Sequence, residues 1–148
     1  MPTSEQQIVK RVSELVAADS VSSPDPNWDS SNRRVISHLS NYAEQDGWSV
    51  DVQTLEETVD GKANLIATLG DVVSDTAEPG GLVLSGHTDT VPFDAGGWDS
   101  DPLRLTERDG RLYGLGSTDM KGIFAIALEA ASSSAIAKNP FISVLPRP

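Results

Sequence analysis

The side chains best suited to holding a cation or moving a proton gather in two short runs, Gly86-His87-Thr88-Asp89 and Gly114-Leu115-Gly116-Ser117-Thr118-Asp119-Met120-Lys121-Gly122. An imidazole that binds a metal through one nitrogen usually gives its other N–H to a carboxylate, which fixes the tautomer and the ring orientation. Asp89 stands two residues beyond His87, on the same side of an extended chain, and suits that role. A loop histidine beside a solvated aspartate satisfies the same local pattern, so His-x-Asp alone leaves both readings open.

The glycines of the second run invite a nucleotide site, but there is no Gly-x-Gly-x-x-Gly, and Lys121 precedes Gly122 where a phosphate loop needs Gly-Lys-Ser/Thr. A carboxylate at Asp119 would also repel phosphate. The glycines instead let backbone pack closely around Asp119 at the start of a helix, where free N–H groups favour an anion. There Asp119 serves either as a simple cap or as a metal ligand. His38 lies inside a helical segment without an acidic cluster at ligand spacing and reads as structural or exposed.

Composition narrows the chemistry. There is no cysteine among the 148 residues, so thiolate metal sites, disulfides and thiol nucleophiles are excluded, and any metal must use His, Asp or Glu. The formal net charge of -11 argues against nucleic acid or an anionic membrane as partner. With 38% apolar and 22% charged residues the chain reads as soluble and globular. Met1 to Val16 lacks a signal-peptide core, and no window approaches the ~18 apolar residues of a membrane span, so the expected location is cytoplasmic.

The elements that must position the two runs follow from periodicity. Ile8, Val9, Val12, Leu15 and Val16 predict an amphipathic first helix, with Thr3 and Gln6 resembling a capping box. A Ser- and Pro-rich loop over Asp19 to Asn27 leads to a second helix, capped by Asp29 or Ser30, that runs to about Gln45 and ends at Gly47. Trp48 to Thr54 alternates like a half-buried strand, and Ala63 to Leu69 predicts another. After a polar linker at Gly70 to Gly80, Leu82-Val83-Leu84 suits a strand covered on both faces, delivering the chain to His87. Asp109-Gly110 predicts a hairpin turn, and Ile123, Ala127 and Ala130 with Phe124, Leu128 and Ala131 predict a buried helix. Alternating helices and strands give an α/β class.

Read in order, Ser85-Gly86-His87-Thr88-Asp89-Thr90-Val91-Pro92-Phe93-Asp94, Trp98, Asp101-Pro102, Asp109-Gly110-Arg111-Leu112-Tyr113-Gly114-Leu115-Gly116 and Asp119-Met120-Lys121-Gly122 resemble the signature of the two-zinc aminoacylase and deacetylase metallopeptidases. The upstream helices, the loop at Asp19 to Ser23 and Asn64-Leu65 fit the same pattern more weakly. The resemblance implies a partial zinc-exopeptidase-like catalytic domain over residues 1–148, with helices on a mixed, largely parallel sheet and no lid or dimerisation domain. It makes His87 a zinc ligand, Asp119 the carboxylate bridging two zincs, and Asp89 the catalytic carboxylate that orients His87. Cobalt would serve in place of zinc. A cis peptide after Asp119 is also implied.

The implied reaction is hydrolysis of a small N-acyl amino acid, N2-acetyl-ornithine to ornithine and acetate, with removal of a succinyl group from diaminopimelate as the alternative. A complete relative would be a homodimer. The resemblance also expects a Glu-Glu pair carrying the general base after the strand that follows the Ile123 to Ala131 helix. Asn139 to Leu145 suits that strand, but Pro146-Arg147-Pro148 follows, so residues 132–148 read as an aberrant or truncated tail and Glu129 sits in the wrong element. The expectation is half a site, with weak zinc binding and no catalysis. A non-enzymatic truncated product is the rival, and an ordinary α/β binding domain the second.

Overall fold

The computed structural model describes residues 4–55, 61–70 and 82–133. Its elements run α1 (Ser4–Ala17), α2 (Arg33–Gln45), β1 (Ser49–Thr54), β2 (Ala63–Thr68), a 3-10 turn (Ala95–Gly97), β3 (Thr106–Arg108), β4 (Arg111–Tyr113) and α3 (Lys121–Ser133). Thr3, most of the Gly70 to Gly80 linker and the strand at Asn139 to Leu145 lie outside the described residues, as does the tail beyond Ser133.

Each helix buries the stripe its spacing dictates. α1 turns Val12, Leu15 and Val16 inward, and α2 turns Val35, Ile36, Leu39, Tyr42 and Ala43 inward. These meet Ala63, Leu65 and Ala67 of β2 and Phe124, Ala125, Leu128 and Ala131 of α3 in one core. Gly47, at φ +86°, ends α2 in a Schellman arrangement: its N–H donates to the Glu44 carbonyl, and the Trp48 N–H donates back to Ala43 at 2.9 Å.

A charged knot ties the helices together. Arg11 is 3% exposed, yet its guanidinium donates two bonds of 2.7 Å to Asp46 at the end of α2 and stacks 5.0 Å over the Tyr42 ring. The Asp46 hydrogen bond is the main reason the guanidinium is held above its already high ordinary range. Glu129 of α3 stands 4.0 Å away, and Tyr42 donates to Glu14 of α1. Glu129 therefore belongs to this knot, away from the His87 region.

Several expectations need correction. The α/β class holds, but among the described residues the sheet is not largely parallel: β1–β2 and β3–β4 are separate antiparallel pairs, and the one parallel contact is a bridge between Val21 and Thr90. Leu82-Val83-Leu84 forms no ladder, and Leu82 and Val83 are 48% and 53% exposed, because no described strand lies beside them. β1 is mostly exposed, with only Val50 partly covered. α3 is buried on one side alone, since Ile123 and Ile126 stay exposed. The start of α2 falls at Asn32, later than Asp29 or Ser30; the Asn32 side chain makes no cap bond, and the Arg33 N–H donates to Ser31 Oγ at 3.2 Å. The hairpin stands where Asp109-Gly110 puts it, both residues at positive φ (53° and 68°) as a type I′ turn requires.

Asp29 has a different task. Its carboxylate accepts from Lys62 at 2.6 Å and from the Ser23 N–H at 2.9 Å, pinning the loop before α2 to the start of β2. The Lys62 and Ser23 bonds hold the Asp29 carboxyl below its usual value of 3.8.

Two outcomes follow. Arg11→Met strands Asp46 and should cost roughly 2–4 kcal/mol of unfolding free energy in urea titrations. For Asp29, the unfolded chain binds more protons than the folded one just below pH 3.8, so this contribution is lost as pH falls through that window. Thermal melts of Lys62→Met should show a flatter acid limb than the parent.

Candidate metal centre

The run that carries His87 is extended without belonging to a regular sheet. Alternation along it sends Thr88 inward, fully buried, and leaves His87 and Asp89 on the other side at 37% and 40% side-chain exposure. The second run leaves β4, turns through Gly114 and Gly116, and enters α3, so that Asp119 arrives two residues before the helix begins. The Asp119–Met120 peptide is cis, as the resemblance implied.

These two runs meet. His87 Nε2 lies 3.0 Å from Asp119 Oδ1, and His87 Nδ1 lies 3.1 Å from the Asp89 carbonyl and 3.4 Å from Asp89 Oδ1. The three residues singled out in the sequence are therefore brought together, with the ring between two carboxylates. Both ring nitrogens face oxygen acceptors. A neutral ring has one N–H and can satisfy one of them, so the other nitrogen presents a lone pair towards an oxygen, an arrangement that a cation between them resolves.

The donors fit zinc in kind. Two ligands bonded to one zinc at its usual distances and a tetrahedral angle would sit about 3.3 Å apart, close to the separation seen here. They do not fit in number: among the described residues no group of three His, Cys, Asp or Glu is placed to hold a metal. Asp119 is 86% exposed and the pair opens onto a cleft of about 250 Å3, walled by Val91, Trp98, Leu115 and Thr118.

Close packing sets the Asp119 turn. Lys121 is fully buried; its ammonium donates to the Ala18 carbonyl at 2.9 Å, tying the turn to the end of α1. Burial lowers its pKa to about 8, against an opposing pull from Asp19. A Cβ on Gly116 would stand 2.6 Å from Lys121 Cε, and one on Gly122 only 2.1 Å from the Ser117 carbonyl oxygen. In the sequence Lys121 reads as a misplaced phosphate-loop residue and as part of the Asp119 to Gly122 motif, and its burial carries no periodic signal.

Residues 83–142 match the model of Peptidase family M20/M25/M40. Over those residues the chain is similar to that family. It is 50% identical over 117 residues to the acetylornithine deacetylase of Proteus mirabilis, a match covering 79% of this chain and 28% of that protein. Human carnosine dipeptidase 1 superposes with a TM-score of 0.72 at 26% identity, covering 95% of this chain and 32% of that one. A metallo-carboxypeptidase from Sulfolobus solfataricus, at 17% identity, shares the fold with a TM-score of 0.70 over 99% of this chain and 31% of its own. The chain thus spans about a third or less of the proteins it matches. Among the described residues no helix is long and apolar enough to cross a membrane.

Because the obstacle at Gly122 is backbone that cannot swing aside, Gly122→Ala should destabilise the fold by about 3 kcal/mol, at the upper end for overpacking. Chemical denaturation measures the loss, and an unchanged midpoint would contradict the packing of this turn.

Proposed function

We propose that this chain supplies His87, Asp89 and Asp119 to a zinc-dependent amide-hydrolase site of the acetylornithine deacetylase type. The observation that carries the reading is the approach of His87 Nε2 and Asp119 Oδ1 to 3.0 Å from runs 32 residues apart, in a chain half identical over 117 residues to a protein bearing that name.

His87 would hold the metal through Nε2 and Asp119 through its carboxylate. Asp89 takes the Nδ1–H, which keeps the neutral tautomer with its lone pair on Nε2 and raises the basicity of the ring. When bound, zinc or cobalt polarises an amide carbonyl and brings the pKa of a water towards neutrality. Trp98 and Val91 offer apolar walls to the acyl amino acid beside these ligands. In N2-acetyl-ornithine hydrolysis a C–O bond forms, the C–N bond breaks, and the amine leaves with a proton taken from water, so a base must carry that proton.

Among the described residues the cleft holds no such base to spare. Its lining carboxylates are Asp89 and Asp119, both already engaged. Glu129 is in the Arg11 knot. The 148-residue chain by itself should therefore bind zinc weakly and not turn over substrate.

Calorimetric zinc titration tests the first half. Weak binding that His87→Ala or Asp119→Asn reduces by roughly tenfold or more supports the reading, whereas binding indifferent to both substitutions overturns it. Incubation with N2-acetyl-ornithine or N-succinyl-diaminopimelate, with zinc or cobalt, tests the second. Zinc-dependent turnover by this chain would show that another group carries the proton.

A further inference from the structure

Asn32 is 8% exposed and sits where a helix cap would, yet its side chain makes no bond to the start of α2. Its main-chain carbonyl accepts from the Ile36 N–H at 3.0 Å, so the residue is rooted in the helix. The amide points away instead. Nδ2 donates to the Ala63 carbonyl at 2.9 Å and to Thr88 Oγ1 at 2.9 Å, and Oδ1 accepts from the Ala63 N–H at 2.9 Å. Both N–H groups are used. A flipped amide would set oxygen against the Ala63 carbonyl, so the orientation is determined by its partners.

Thr88 is the residue between His87 and Asp89. It is fully buried, and its carbonyl accepts from Ser20 Oγ at 2.7 Å. Two residues on, the Thr90 N–H donates to the Ser20 carbonyl and the Ser22 N–H donates to that of Thr90. Apart from that bridge, residues 82–90 lie in no ladder among the described residues. The rotation of the run about its own axis is thus set by what grips Thr88, and the same rotation aims His87 and Asp89.

We propose that Asn32 is a positioning residue for His87, acting through the Thr88 hydroxyl. A helix-rooted amide holds Thr88 inward, and His87 and Asp89 are thereby held outward with the imidazole between Asp89 and Asp119. For metal affinity, this rests on the reading of His87 and Asp119 as ligands; for ring orientation, it does not.

The test uses the whole chain. Asn32→Ala removes all three bonds and leaves the Ala63 groups unpaired, so Thr88→Val is the decisive variant: it keeps the shape and the Asn32–Ala63 pair and deletes the hydroxyl. Thr88→Ser restores the hydroxyl. The first readout is the ring 15N and 1H spectrum of metal-free protein at about pH 8.5, where an ordinary imidazole is neutral. With two histidines in the sequence, His87 is assigned by its loss in His87→Ala. The parent and Thr88→Ser should show one dominant tautomer with the same ring shifts, and Thr88→Val an averaged pair. The second readout is zinc affinity, expected to fall about 10–100-fold in Thr88→Val and to be largely kept in Thr88→Ser, as for groups that orient a ligand. Folded Thr88→Val with the parent's ring shifts overturns the proposal. Zinc binding that His87→Ala leaves untouched overturns the metal reading instead, and the ring spectra still decide the positioning role.

Discussion

Backbone taken out of water must find hydrogen-bond partners, and for the run at His87 to Thr90 no sheet provides them among the described residues. The partners come from two other places in the chain. Ser20 and its neighbours take the main chain on one side, and Asn32 takes the buried Thr88 hydroxyl. His87 and Asp89 hang from this clasp, because a run whose middle side chain is fixed inward has only one way to present the residues on either side.

The clasp is held in turn by the helices. Loop 19–32 stays in place because Lys62 binds Asp29 and because Asn32 reaches β2 as well as Thr88. α1, α2 and α3 are brought to one core by apolar stripes and are joined at one end by Arg11, which engages Asp46 closely and Glu129 at longer range. Lys121 adds a second tie, from the start of α3 to the end of α1. Two cations buried in a chain of net charge -11 each have oxygen partners in place, which is the condition for burying such groups at all.

The outer surfaces differ from what periodicity suggests. Apolar residues at Leu82, Val83 and Ile123 match buried elements by pattern, and the described chain leaves them exposed. Hydrophobic spacing records that a face is built to be covered, without recording which segment covers it. The largely parallel sheet that the resemblance implies is not seen among the described residues for the same reason: an apolar run becomes a ladder only when another strand lies within hydrogen-bonding reach.

The sequence by itself determined the local things. Three helices, the strands β1 and β2 and the Asp109-Gly110 hairpin were legible because side-chain period and turn chemistry act over a few residues. His87, Asp89 and Asp119 were legible as a set from ordered motifs. Their meeting, at 3.0 Å between His87 and Asp119, belongs to the tertiary structure, since it depends on how two loops cross. So do the roles of Asn32, Arg11 and Lys121. Which partner a polar side chain takes is decided by what the fold brings within about 3 Å of it, and spacing along the chain does not encode that.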